Sequence, residues 1–239
     1  MIVLATDFGT GPYTAQLQSI FAQSLPGTAV ITLFDDLPRW DSKSSAYLIA
    51  AYTKQFPAET VFVVVVDPGV GSNRPGIIAQ LDQHWFVGPD NGIFELLTRR
   101  SSQSKFWLLD DTSSTVSASF HGRDVFAPAA ADIASGQLPD DKMLTCPTQY
   151  PDWPDELHQC IYVDHFGNVI TGLRGSTVDT QTRLIINGHH ISYARTFSDV
   201  SVGEVFWYEN SNGLIELAVN QGRADELQGV AIGSEFELM

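Results

Sequence analysis

Four short segments couple a charged side chain or an imidazole to glycine: Thr6-Asp7-Phe8-Gly9-Thr10, Asp67-Pro68-Gly69-Val70-Gly71 with Arg74 beyond it, Phe120-His121-Gly122-Arg123-Asp124, and Asp164-His165-Phe166-Gly167-Asn168. Glycine beside a charge lets a backbone approach a ligand closely, although a plain surface turn uses the same residues. The carboxylate of Asp67 and the imidazole of His121 are groups that can orient a water and accept its proton, with the Arg74 guanidinium fixing the carboxylate. Read singly, Asp67 is a strand-end turn acid, Arg74 a solvated surface charge and His121 a helix-flanking residue satisfied by backbone. Asp7 offers two acceptor oxygens suited to a ribose 2′,3′-diol, or alternatively caps the helix that follows it. Asp7, Asp67 and His121 also form a conceivable donor set for Mn or Mg in a phosphohydrolase. The other histidines, His84, His158, His165, His189 and His190, show no ligand spacing, and no metal is expected.

Positioning these groups falls to alternating elements. Ile2 to Thr6, Ala29 to Leu33 and Val61 to Val66 are apolar β-like runs, separated by amphipathic stretches at Tyr13 to Ser24 and Lys43 to Phe56. That order is the grammar of a βαβαβ unit. Leu17, Ile20, Phe21 and Leu25 recur at helical spacing before Pro26-Gly27, and Val61 to Val66 is apolar on both faces, as a central parallel strand is. In open α/β sheets ligands bind beyond the carboxyl ends of strands, so Asp7 and Asp67 are expected on one rim. Ile77 to Leu81 and His84 to Gly88 read as a hairpin, Lys105 to Leu109 as a strand, and Val125 to Ser135 as an alanine-rich helix.

The fold class expected is an α/β N-terminal domain over residues 1–140, with a mostly parallel sheet flanked by helices. Residues 141–157, carrying Pro147, Pro151 and Pro154, read as an extended linker. Residues 158–239 show short alternating strands with Gly and Asn turns, among them Asn187-Gly188 between Thr182 to Ile186 and His189 to Ala194, and are expected to form a small all-β barrel or sandwich.

The 239 residues are 44% hydrophobic and 17% charged, enough apolar material for a sizeable core. A formal charge of −15 supplies no electrostatic footprint for phosphate backbones or anionic lipid, so neither nucleic acid nor membrane is an expected partner. With no basic leader and no run of membrane-spanning length, a cytoplasmic location is expected. Cys146 and Cys160 lack zinc-site spacing, and one bridge between them is left open.

Taken together, the four segments resemble the S-adenosyl-L-methionine hydroxide adenosyltransferases over nearly the whole chain. These are relatives of the fluorinating and chlorinating enzymes that attack the same substrate with halide. Asp67, Arg74 and His121 coincide with the Asp, Arg and His set that marks the hydrolases of that superfamily, whereas the fluorinase pattern has tyrosine in place of Asp67 and serine in place of Gly122. The resemblance implies hydrolysis of S-adenosyl-L-methionine to adenosine and methionine with no cofactor. It assigns Asp7 to the ribose and sets Trp40 beside the ligand. It gives Asp164 to the methionine ammonium, Asn168 and Phe197 to adenine and Ser211 to the methionine carboxylate, with Phe166, Tyr208 and Asn220 also on the substrate. It further implies a homotrimer with sites at subunit interfaces. Gly11-Pro12 and Gly172 depart from the family pattern, which commonly has aspartate and asparagine there. A halide adenosyltransferase and a non-catalytic sensor of S-adenosylmethionine or adenosine are the alternatives that the same residues allow.

Overall fold

The computed structural model describes residues 1–109 and 116–239. They divide into two compact units, Met1–Pro151 and Asp152–Met239.

In the first unit, strands β1 (Ile2–Thr6), β2 (Val30–Phe34), β3 (Val61–Val65), β4 (Gly76–Leu81), β5 (His84–Pro89) and β6 (Ser104–Leu109) form one sheet in the order β2-β1-β3-β5-β4-β6. The β2, β1, β3 and β5 pairings are parallel, and β4 runs antiparallel to both β5 and β6. Helices α1 (Pro12–Ser24), α2 (Ser42–Tyr52), α3 (Glu95–Arg100) and α4 (Ala127–Ala134) accompany the sheet.

Every residue of β1 and β3 is buried, which is why these runs are apolar without alternation. On one face Ile2, Leu4, Val61, Val63 and Val87 pack with Leu17 and Phe21 of α1 and Ala130 and Ile133 of α4. Phe62 belongs to the opposite set, where it stacks on Phe86 at 4.9 Å and Phe86 meets Phe94 at 5.7 Å. Gly88 is required by close approach, because a Cβ there would collide with the Val64 carbonyl oxygen. The helix expected over Val125 to Ser135 has a π-helical first turn, Gly122–Phe126, and α4 proper begins at Ala127 with Pro128 in its first turn. The stretch after Gly136 is tied to this unit. The Thr145 amide donates to the Phe106 carbonyl at 2.9 Å, the Thr148 amide to the Asp90 carboxylate at 3.0 Å and the Tyr150 amide to Glu95 Oε2 at 3.2 Å.

The second unit contains β7 (Leu157–Val163), β8 (Val169–Arg174), β9 (Leu184–Ile186), β10 (His189–Ile191), β11 (Val205–Glu209), β12 (Leu214–Val219) and β13 (Glu237–Leu238). They make two antiparallel sheets, β11-β12-β8-β7 and β10-β9-β13, and among the described residues no closed barrel forms. The expected all-β domain is thus present, and of the barrel and the sandwich it is the barrel that is not formed. β11 and β7 end the larger sheet without pairing to each other, and one core of Cys160, Val169, Trp207, Ile215 and Leu217 with Leu184, Ile186, Ile191 and Phe236 is filled from both sheets. Asn187 and Gly188 both take positive φ, 48° and 82°, as the expected two-residue hairpin turn demands. Cys146 and Cys160 are free thiols, and burial pushes the Cys160 thiol up to about 12.

Candidate active site

Strand order reverses at β1, whose chain leaves toward β2 on one side and has β3 on the other, so a crevice is expected beyond the carboxyl ends of β1 and β3. The pairing continues one step past the strands, with the Asp7 amide donating to the Val65 carbonyl at 3.3 Å. The loop after β2 closes on the same place: the Leu37 amide donates to the Thr6 carbonyl at 3.0 Å and the Gly9 amide to the Asp35 carbonyl at 2.5 Å. Asp7 Oδ2 accepts from the Trp40 amide at 3.1 Å. Trp40 is held at φ 59°, an uncommon conformation for a non-glycine residue, and is 74% exposed. Burial pushes the Asp7 carboxyl above its usual range; the Trp40 amide, Asp7's own amide and the Arg39 charge pull it back, and the Asp67 charge adds to the rise. The two aspartates therefore share one electrostatic neighbourhood.

Asp67 lies two residues beyond β3. Its Oδ2 pairs with Arg74 Nη2 at 2.5 Å and its Oδ1 accepts from the Gly69 amide at 3.2 Å. The pair is deep, with 5% of the Asp67 side chain and 10% of the Arg74 side chain exposed. Arg74 is pinned further by donation from Nη1 to the Pro75 carbonyl and by the Phe126 ring, whose centroid lies 5.7 Å from the guanidinium carbon. Its Nε is buried and has no hydrogen-bond partner among the described residues. Such an orphan donor is unusual in a folded protein.

His121 is 7% exposed and immediately precedes the π-helical turn. Its segment packs on the other two. Gly122 sits against the Phe8 and Phe120 rings, Phe8 and Phe120 meet edge-on at 5.7 Å, and Tyr13 meets Phe120 at 5.4 Å. Asp124 closes the turn by accepting from the Ser117 amide at 2.9 Å and pairing with Arg123 at 2.6 Å, and the Arg123 hydrogen bond is the main reason its carboxyl lies below the usual range. Phe8, Tyr13 and Phe120 form an aromatic wall that single-residue reading of the motifs missed; the phenylalanines inside the Asp7 and His121 segments were the available signal. Among the described residues Asp7, Asp67 and His121 are not gathered into a metal-ligating group.

In the second unit Asp164 and Asn168 lock one hairpin turn together, Asp164 Oδ1 accepting from the Asn168 amide at 2.9 Å and Oδ2 from Asn168 Nδ2 at 3.0 Å. Phe166, at the tip of that turn, is exposed, whereas Asn168 is buried. Phe197 is partly buried and packs edge-on against Phe206 at 5.1 Å and against Tyr208 at 5.8 Å. Ser211 is exposed on the turn between β11 and β12. Asn220 donates from Nδ2 to the Val200 carbonyl at 2.9 Å, so its amide nitrogen is committed to the fold. Glu216 is a further residue the motifs did not show. A lone acid inside Leu214-Ile215-Glu216-Leu217-Ala218-Val219 was its only signal.

Residues 2–143 match the SAM hydroxide adenosyltransferase N-terminal domain, and residues 158–237 match the SAM hydroxide adenosyltransferase C-terminal domain. The chain belongs to this family. Among relatives of the SAM hydroxide adenosyltransferase chain, the (R)-S-adenosyl-L-methionine hydrolase of Thermus thermophilus is 33% identical across 100% of this chain and 99% of its own length. That of Salinispora tropica is 33% identical across 99% and 97%. A crystal structure of an uncharacterized conserved protein from Thermotoga maritima, 27% identical, superposes with a TM-score of 0.87 over 100% of this chain and 99% of that one. No helix among the described residues is long and apolar enough to cross a membrane.

Proposed function

We propose that the chain hydrolyses S-adenosyl-L-methionine to adenosine and L-methionine by attack of water or hydroxide on C5′ of the ribose. The observation that carries this reading is the buried Asp67–Arg74 ion pair on the same rim as Asp7. A full-length likeness to proteins named as hydrolases of this substrate supports it. The C5′–O bond forms as the C5′–S bond breaks, and the electron pair of the broken bond stays on sulfur. The leaving group is a neutral thioether that needs no general acid, so catalytic work concentrates on the nucleophile. Asp67 orients the attacking oxygen and takes its proton, and Arg74 holds the carboxylate in place. His121, buried beside the same loops, shares in placing the water.

On this reading Asp7 accepts the ribose diol, Trp40 lies beside the ligand, and the second unit contributes Asp164, Phe166, Asn168, Phe197, Tyr208, Ser211 and Asn220, in a homotrimer whose sites are completed across subunit interfaces. The test is incubation of chelator-treated protein with S-adenosylmethionine in oxygen-18 water, with and without chloride, followed by mass detection. Labelled adenosine and unlabelled methionine are expected. Chlorinated adenosine would make the protein a halide transferase, and tight adenosine binding without turnover would make it a sensor.

Asp7 also sets an expected pH dependence. Only the ionised carboxylate can accept both diol hydroxyls, and burial raises its proton affinity in the unliganded protein. Affinity for adenosine is therefore expected to fall as pH drops through the raised pKa, beginning at higher pH than an ordinary aspartate would give. Asp7→Asn should bind weakly and flatten the profile in calorimetric titration; an unchanged profile would remove Asp7 from the ribose.

A further inference from the structure

The register of β11 and β12 sets Tyr208 directly opposite Glu216, so the two side chains lie on one face of the larger sheet. Glu216 is 5% exposed. Both of its carboxylate oxygens are occupied by neutral donors: Tyr208 Oη donates to Oε1 and Asn210 Nδ2 donates to Oε2 at 2.9 Å. No salt bridge joins it to a cation among the described residues. Burial pushes its carboxyl above the usual range; the two donors oppose the rise and the Asp164 charge adds to it. An acid so placed is expensive to bury, and a strand that otherwise reads leucine, isoleucine, alanine and valine would be served in packing alone by one more apolar residue.

The cost is explained by what the two donors hold. Since Asn210 Nδ2 faces Glu216, its Oδ1 must face the other way, where it accepts from the Asn212 amide at 3.0 Å and the Leu214 amide at 3.1 Å. Backbone bonds from the Asn210 amide to the Leu214 carbonyl at 2.8 Å and from the Gly213 amide to the Asn210 carbonyl at 2.9 Å complete the turn. The conformation of the turn presenting Ser211 is thus keyed to the orientation of one amide, and that orientation is keyed to Glu216. On the other side, the tethered Tyr208 ring supports Phe197 at 5.8 Å and Phe206 at 5.6 Å.

We propose that Glu216 is a positioning residue for substrate recognition, acting through Asn210 on Ser211 and through Tyr208 on Phe197. The proposal rests on the reading that Ser211 and Phe197 contact the substrate. Glu216 itself touches neither the substrate nor the reacting atoms. Its loss should weaken binding while leaving the chemical step, which belongs to the first unit, nearly intact.

Glu216→Met conserves volume and accepts neither bond, whereas Glu216→Gln can accept from Asn210 and donate to the Tyr208 oxygen. The methionine variant is expected to raise KM and the calorimetric Kd for S-adenosylmethionine by roughly ten-fold, with kcat changed by less than about three-fold. The glutamine variant should return KM to within about three-fold of the parent. Should Glu216→Met fail to fold, Glu216→Asp, whose carboxylate is withdrawn by one methylene, is read in the same way. A lowered melting temperature with unchanged KM and Kd would show a merely structural acid and overturn the proposal, as would a fall confined to kcat. Parent protein that binds S-adenosylmethionine without turnover would overturn hydrolysis alone, the Kd ratio still deciding Glu216. Parent protein that binds none would overturn both.

Discussion

Asp67→Ala is expected to lower kcat by roughly 10² to 10⁴, the range for loss of a positioned general base. It should also destabilise the fold, because Arg74 would be left with a buried charge whose Nη2 has lost its carboxylate and whose Nε already lacks a partner. Removing one member of a buried pair costs about 3 to 5 kcal/mol, so the alanine variant confounds chemistry with folding. Asp67→Asn separates them. Its carbonyl oxygen can still accept from Arg74 or from the Gly69 amide, but an amide cannot take the proton of a water attacking C5′. The asparagine variant should therefore unfold closer to the parent in a thermal melt while losing nearly as much turnover as alanine. Parent-like turnover in Asp67→Asn would dismiss the carboxylate as base and leave Arg74 and His121 to be reconsidered. A pair of melts and initial-rate curves on purified protein decides the matter.

The rim was legible because its cause is local. An unbroken apolar run such as Val61 to Val66 has only one comfortable place, between neighbours in a covered parallel sheet, and the rule for carboxyl ends then brings Asp7 and Asp67 together from 60 residues apart. Features set by tertiary contact were not legible. Trp40 takes a positive φ because its amide is drawn to Asp7, and nothing in Leu37-Pro38-Arg39-Trp40-Asp41 announces that. In the π-helical turn Gly122 lies against Phe8 and Phe126 against Arg74, contacts that the alanine content of the segment, which specified an ordinary helix, does not announce. In the second unit alternation correctly indicated strands, but closure into a barrel depends on which edges meet, and periodicity carries no information about edges. Glu216 was hidden because its partners lie across the hairpin: the register sets Tyr208 of β11 opposite it, and folding of the turn after β11 brings Asn210 to it.

Gly71→Ala should have the other large effect, through geometry alone. Gly71 stands between Asp67 and Arg74 at φ 79°, where an alanine costs about 1 to 2 kcal/mol, and its added Cβ would lie 2.6 Å from the Ala118 carbonyl oxygen. Ala118 belongs to the turn, closed by the Phe120 amide on the Ser117 carbonyl at 3.3 Å, that runs directly into His121. The one new methyl therefore presses the Asp67 loop and the His121 segment apart, and neither yields easily: the first is cross-tied by Ser72 Oγ to the Gly69 carbonyl at 2.6 Å, the second by Asp124 to the Ser117 amide at 2.9 Å. A displacement near 1 Å at a reacting centre costs about 10² in rate, and that is the loss expected in kcat. Gly27→Ala is the control, since Gly27 has a similar φ of 86° with nothing within 4 Å of its Cβ and lies beyond the far end of α1. It should lower the melting temperature with kcat unchanged. If both variants lose stability and neither loses turnover, close approach of the two loops does not set the geometry of attack, and the Asp67–Arg74 pair acts without His121; if Gly71→Ala alone loses turnover, the two loops work as one catalytic unit.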